Sequence, residues 1–175
     1  DDGNMEDHYP WPRAMDGMYD DATIPAPRLW APEIFDSLPP FLKTSLNRKR
    51  YFWRWDTPEK YQKNMRGYYG LLAGVDDMIR RMLEALDQKG LAENTVIIYA
   101  ADNGYYMGDR GFAGKWSHYE ESLRIPLIVY DPRQPEAKRG RVIEDMVLNI
   151  DVGATILDFA AVDRPNLYLS LIHIS

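Results

Sequence analysis

The chain of 175 residues contains no cysteine. No disulfide framework can staple it, and its own residues supply neither a thiol nucleophile nor a thiolate metal site. A run of about 18 apolar residues, the least a helix needs to cross a bilayer, is also missing. Basic residues are outnumbered: 21 Lys and Arg stand against 27 Asp and Glu, a formal net charge of −6. Surfaces that hold nucleic acid neutralise phosphates with clustered Lys and Arg. Here Asn47-Arg48-Lys49-Arg50 is the one basic run, and it reads as a solvated loop or helix end. No nucleic-acid partner is therefore expected. Internal repeats and low-complexity tracts are absent as well.

What is present suits a packed core. Hydrophobic residues make up 45% of the chain and aromatics 13%, at a length that normally forms one domain. Residues 1–56 carry most of the chain's 12 prolines, many aromatics and acidic turns, which reads as an irregular segment crossing the surface of a larger body. Within it, His8, Trp11, Trp30, Trp53 and Trp55 can stack on sugar rings or pin the segment to the core.

A long helix follows, with Thr57 as its cap, Pro58 in its first position and Gly90 at its end. Tyr61, Met65, Tyr68, Leu72, Val75, Ile79, Met82 and Leu86 recur at spacings of three and four and predict one buried face. Gly67, Gly70 and Gly74 interrupt it, each costing about 0.8–1 kcal/mol against alanine, so a close approach to another element is expected there. Asp76-Asp77 does not form a metal pair in this reading, because adjacent helix residues diverge by about 100°. It is a solvated or salt-bridged edge.

Beyond Gly90 the pattern predicts a strand at 95–101, a loop at 102–118, a strand at 125–130, a polar turn at 132–140 and an extended segment near 142–147. A helix from Val152 to Ala161, capped by Asp151, closes the series. Unbroken apolar strands alternating with helices indicate an α/β fold, a largely parallel sheet sandwiched by helices. Ligands of such sheets bind beyond the carboxyl ends of the strands, where Asp102, Asn103 and Gly104 stand. The carboxylate and the carboxamide are hard oxygen donors, suited to Ca²⁺ or Mg²⁺ rather than zinc, and Gly104 would let the backbone bend around an ion. Asp-Asn-Gly also makes a tight turn with no ligand at all. Lys115 adds a compact cation for an anionic ligand. His118 can touch a substrate hydroxyl or donate a proton. Glu120, Glu121 and Arg124 read as an ion-pair group on a helical turn; Asp109 and Arg110 lie in the loop, within possible reach of a substrate.

The stretch YAADNGYYMGDRGFAGKWSHYEESLRIPLIVYDP resembles the metal-and-sulfate half of the sulfatase family, in the alkaline-phosphatase-like superfamily. The resemblance runs from about Tyr61 to Pro165 and includes Arg124-Ile125-Pro126-Leu127 and the segment that starts at Asn149-Ile150-Asp151. It implies an incomplete alkaline-phosphatase-like domain. By that resemblance Asp102 and Asn103 ligate Ca²⁺, Mg²⁺ being the lesser choice. Lys115, in a GK-x-x-x-YE setting ending at Tyr119-Glu120, holds the sulfate and serves catalysis. His118, whose position varies within the resemblance, is a substrate-binding candidate by its own chemistry, for a sulfate or a sugar hydroxyl. The family nucleophile, a formylglycine made within C/S-x-P-x-R, has no counterpart here, since Ser37-Leu38-Pro39-Pro40-Phe41 lacks the arginine.

The expectation is thus a piece of a sulfatase, inactive alone. Residues 1–56 form a surface segment, 57–165 part of the catalytic core and 166–175 a non-native tail, whose LSLIHIS ending looks like translated adapter sequence. The intact enzyme would hydrolyse sulfate esters, of carbohydrates by preference, in a periplasmic or extracellular location. A phosphonate or phosphate-ester hydrolase of the same superfamily, or an inactive binder of sulfated glycans, are the competing readings.

Overall fold

The computed structural model describes residues 9–162; His8 and the tail at 166–175 lie outside the described residues. Three short helices, α1 (Pro32–Asp36), α2 (Pro40–Lys43) and α3 (Leu46–Arg54), lead into the long α4 (Pro58–Gln88). They occupy a stretch whose composition predicted an irregular path. The prolines start helices there rather than prevent them: Pro32 and Pro40 stand in first turns, where an absent N–H costs nothing. The basic run, expected to be solvated, lies inside α3. Asn47 is buried, and the Arg48 guanidinium lies 3.8 Å over the Phe35 ring while donating to Gly111 O at 3.0 Å. A planar, weakly hydrated cation tolerates such packing.

The long helix begins and ends as its sequence predicts. Thr57 Oγ1 accepts the Lys60 N–H at 3.2 Å. At the other end Gly90, at φ +65°, donates to Asp87 O while Leu91 donates to Leu86 O, both at 2.9 Å, a Schellman closure. Burial of its apolar stripe is only half as predicted. Tyr61 and Met65 are buried, but Leu72 and Met82 are exposed, because α3 and the segment around Trp11 and Pro12 cover mainly the N-terminal half. That segment also explains the glycines: a Cβ on Gly70 would meet Trp11 Cγ at 3.0 Å, and one on Gly74 would meet Pro12 Cγ at 2.8 Å. Asp77 is ion-paired with Arg80 at 2.7 Å and Arg81 at 3.1 Å, and the hydrogen bond from Arg80 holds its carboxyl below the usual carboxylate range. The edge is salt-bridged, as expected.

Strand β1 (Ile97–Ala100) is followed by the hairpin strands β2 (Tyr106–Met107) and β3 (Ala113–Gly114), the turn α5 (Glu120–Leu123), strand β4 (Leu127–Tyr130) and helix α6 (Asn149–Phe159). The mixed helix and strand content agrees with the α/β reading of an incomplete domain. Both pairs formed among the described residues are antiparallel: β1 with β4 in the register Ile97↔Tyr130 to Ala100↔Leu127, and β2 with β3. Parallel neighbours need a crossover, usually a full helix, and the β1–β4 connection offers only a hairpin and one helical turn. The segment near 142–147 forms no strand. Helix α6 starts ahead of the predicted Val152 because Asp151 works from inside the first turn, its Oδ2 accepting the Leu148 N–H at 2.8 Å.

The core is aromatic. Trp55, Tyr51, Tyr61, Met65, Ile24 and Ala113 form one buried cluster, and Tyr106, Phe112 and Leu38 a second. Of the tryptophans weighed as sugar platforms, Trp55 is fully buried and Trp30 donates to Tyr51 Oη at 2.7 Å. These two act as pins.

Candidate functional site

Strand β1 ends at Ala100, and the next residue is still tied to its neighbour, Ala101 N–H donating to Pro126 O at 3.3 Å. Asp102 and Asn103 are therefore delivered at the carboxyl end of a strand, as the sequence predicts. The Asp102 carbonyl accepts Asn149 Nδ2 from α6 at 2.9 Å, and its side chain is exposed. The Asn103 carboxamide donates to Gly104 O at 2.9 Å, which leaves its Oδ1 to accept Lys115 Nζ at 2.5 Å. Residues 12 apart in sequence meet here, an amide oxygen facing an ammonium.

Gly104 has a different reason for being glycine than the one expected. It is not among the residues with positive φ. A Cβ there would collide with the Glu121 carbonyl oxygen and come within 2.8 Å of Arg124 O, so the position is fixed by the close passage of α5. Its N–H donates to Ser122 O at 2.9 Å. The buried Ser122 also donates its hydroxyl to the Lys115 carbonyl.

The loop between these anchors is braced by its own charges. Asp109 Oδ1 accepts the Leu29 N–H at 3.2 Å, and Arg110 N–H donates to Leu29 O at 2.7 Å. Burial pushes the Asp109 carboxyl up. Arg110 holds a left-handed φ of 58°, rare for a residue with a side chain. Its guanidinium meets Glu121 at 3.2 Å and lies 4.2 Å over the Tyr119 ring. Considered as substrate contacts, both residues serve as loop ties. The expected ion-pair group is accordingly split: Glu120 pairs with Arg124 at 3.1 Å, while Glu121 turns to Arg110. Under the hairpin, the fully buried Tyr106 accepts Ser117 Oγ at 2.8 Å and the Tyr119 N–H at 3.3 Å.

The structure thus joins Asn103 to Lys115 and leaves His118 exposed, with no hydrogen bond to Asp102, Asn103 or Lys115. Among the described residues no three His, Asp or Glu side chains converge. Two residues that hold the site were not singled out from sequence, Ser122 and Asn149. Asn149 opens a helix, and a polar residue at that position was a legible signal; Ser122, in the middle of an acidic turn, carried none.

The sequence profile of the sulfatase family matches residues 31–162. An N-acetylglucosamine-6-O-sulfatase of Bacteroides thetaiotaomicron is 40% identical over 108 residues, 61% of this chain and 19% of that protein. A solved protein in complex with its substrate D-glucosamine-2-N,6-O-disulfate is 36% identical, with a TM-score of 0.60 over 65% of this chain and 23% of that one. The phosphonate monoester hydrolase of Silicibacter pomeroyi is 29% identical, with a TM-score of 0.78 over 96% of this chain and 35% of that one. These neighbours share the alkaline-phosphatase-like fold. The present chain spans about a fifth of the length of the curated sulfatase it matches.

Proposed function

The chain belongs to the sulfatase family, and on that premise we propose that it supplies the sulfate-facing part of a sulfuric ester hydrolase acting on sulfated carbohydrate. The observation that carries this reading is the Lys115–Asn103 contact of 2.5 Å at the carboxyl end of β1. A cation meets one hard oxygen donor there, next in sequence to the exposed Asp102, an arrangement suited to an anionic ester bound beside a metal ion. The solved complex with a glucosamine disulfate and the N-acetylglucosamine-6-O-sulfatase relative support a sulfated sugar as substrate.

Asp102 and Asn103 would hold the metal ion, Ca²⁺ in preference to Mg²⁺. The donor chemistry fits: the Asp102 carboxylate is exposed and makes no hydrogen bond among the described residues. Two of the roughly six to eight oxygens that Ca²⁺ takes would come from this chain. When bound, such an ion polarises the oxygens of the sulfate ester as a Lewis acid. Lys115 would release Asn103 and neutralise charge on the sulfate or on the departing oxygen. Ser122, Asn149 and the Arg110–Glu121 pair keep the backbone on which these groups stand. His118, exposed three residues after Lys115, is left to meet a sugar hydroxyl. A formylglycine nucleophile would come from outside these residues, and the chain by itself is expected to release no sulfate.

The test uses the full-length protein that contains this chain, with 6-sulfated N-acetylglucosamine as substrate. Lys115→Ala should lower kcat/KM by about 10²–10³-fold, the usual cost of removing one group that stabilises developing charge, while the thermal midpoint stays put. Wild-type turnover in that variant would remove Lys115 from the mechanism. The high structural similarity to a phosphonate monoester hydrolase, over 96% of this chain, favours one second reading, in which the same strand end serves a phosphonate ester. Relative kcat/KM for an aryl sulfate and an aryl phosphonate monoester separates the two.

A further inference from the structure

We propose that Ser122 is a positioning residue that sets the spacing between Asn103 and Lys115; the inference rests on the sulfate-binding role of Lys115 proposed above. The β2–β3 ladder ends at Tyr106↔Gly114. Beyond that pair the two strands part, and the residues that face the ligand, Asn103 and Lys115, belong to the parted ends. Ser122 sits in the mouth so formed. Its carbonyl takes the Gly104 N–H of one strand and its hydroxyl serves the Lys115 carbonyl of the other. One buried residue therefore satisfies the donor and the acceptor that the two strands no longer offer each other.

The contact between the Lys115 and Asn103 side chains cannot do this job alone. Lys115 is exposed, and an exposed lysine gains little from one polar contact while giving up much side-chain freedom. The backbone has to aim it. Ser122 is itself held firmly: α5 is tied on one side by Glu121 to Arg110 at 3.2 Å, and the Ser122 N–H donates to Tyr119 O at 2.9 Å. Gly104 gives independent support, since its lack of a Cβ is what lets α5 enter the mouth at all. Loss of the hydroxyl frees the Lys115 carbonyl and lets the ammonium move relative to Asn103.

The experiment compares wild type, Ser122→Ala, Lys115→Ala and the double variant in the full-length protein. It measures kcat and KM on a sulfated N-acetylglucosamine, inhibition by inorganic sulfate and the thermal midpoint. Ser122→Ala should raise the inhibition constant of sulfate and lower kcat/KM by about tenfold, within what an ångström-scale misplacement costs. In the Lys115→Ala background the same substitution should change neither. Ser122→Cys, close in size and a weak donor, gives the same comparison if the alanine variant does not fold, with a smaller rise expected. An unchanged sulfate inhibition constant in Ser122→Ala or Ser122→Cys, beside a crippled Lys115→Ala, overturns the positioning role alone. Equal losses in both backgrounds also overturn it, since Ser122 would then act on something other than Lys115. Full activity and sulfate inhibition in Lys115→Ala overturn the role of the lysine, and this inference with it.

Discussion

The two strand pairs of this molecule have the same antiparallel geometry and opposite surroundings. In β2–β3, Tyr106 and Ala113 are buried, and Phe112 beside them is fully so; in β1–β4, Ile128 is 60% and Tyr130 44% exposed. The cause lies in what packs on each. Helix α3 lies against β3, and Arg48 and Phe35 close over Gly111 and Phe112, whereas the β1–β4 faces are left partly open among the described residues. The candidate site straddles the two. Lys115 leaves the buried pair, and Asp102 and Asn103 leave the exposed one. Its cationic arm therefore stands on a close-packed base, while its oxygen-donor arm depends on a few hydrogen bonds to Asn149, Ser122 and Pro126.

This contrast can be broken at the buried pair first. Phe112 packs edge-on against Tyr106 at 5.6 Å and Phe35 at 6.3 Å between ring centres. Phe112→Ala should cost about 3–5 kcal/mol of stability, the usual range for a buried aromatic. Ile128→Ala on the exposed pair should cost under about 1 kcal/mol, as surface changes do. Denaturant unfolding of the two variants of this 175-residue chain, in which the exposures were observed, decides the matter, and equal losses would remove the distinction.

A smaller effect is expected where the two arms meet. Gly104→Ala forces a methyl group against the carbonyl oxygens of Glu121 and Arg124 and should cost about 1–3 kcal/mol, as overpacking does. Because α5 must shift to admit it, the sulfate inhibition constant should rise as well. Unaltered stability and inhibition would mean that α5 yields freely.

The smallest effect is a pH dependence. Burial raises the Asp109 carboxyl above its ordinary value, so the folded chain binds that proton more tightly than the unfolded one. The sign is fixed by linkage: stability from this group falls as pH rises from the ordinary aspartate value, near 4, to the higher folded one, and is flat above both. Asp109→Asn, which keeps an oxygen for the Leu29 N–H, should remove that slope. Thermal midpoints of variant and wild type between about pH 4 and 7 should converge at the acidic end and separate toward neutrality, with the variant the more stable.

Local signals were the legible ones. Thr57, Pro58 and Gly90 marked the ends of α4, and the apolar run before Asp102 marked a strand that ends in polar residues, because caps and periodicity act over a few residues of chain. The meeting of Asn103 and Lys115 was legible only through resemblance, since nothing in their spacing requires a hairpin between them. The antiparallel partnership of β1 with β4 was not legible: composition marked both as apolar strands of a largely parallel sheet, and which neighbours run antiparallel depends on the path of the connection. The roles of Gly104, Arg48 and Arg110 were misread for a related reason. A glycine that bends and a glycine that lets another segment pass look the same in sequence, as do a solvated arginine and one stacked on phenylalanine.

By itself the sequence determined where the long helix α4 starts and stops, that the chain is α/β, and that a carboxylate and a carboxamide are available for a cation and a lysine for an anionic ligand, because these follow from residue chemistry and short-range geometry. Tertiary structure alone decided which faces are covered, that Glu121 braces Arg110 rather than Arg124, and that Ser122 ties the two arms of the site together. Those outcomes depend on hydrogen-bonding groups brought together by the closing of the loop, and no spacing along the chain encodes which backbone donor will lie beside which acceptor.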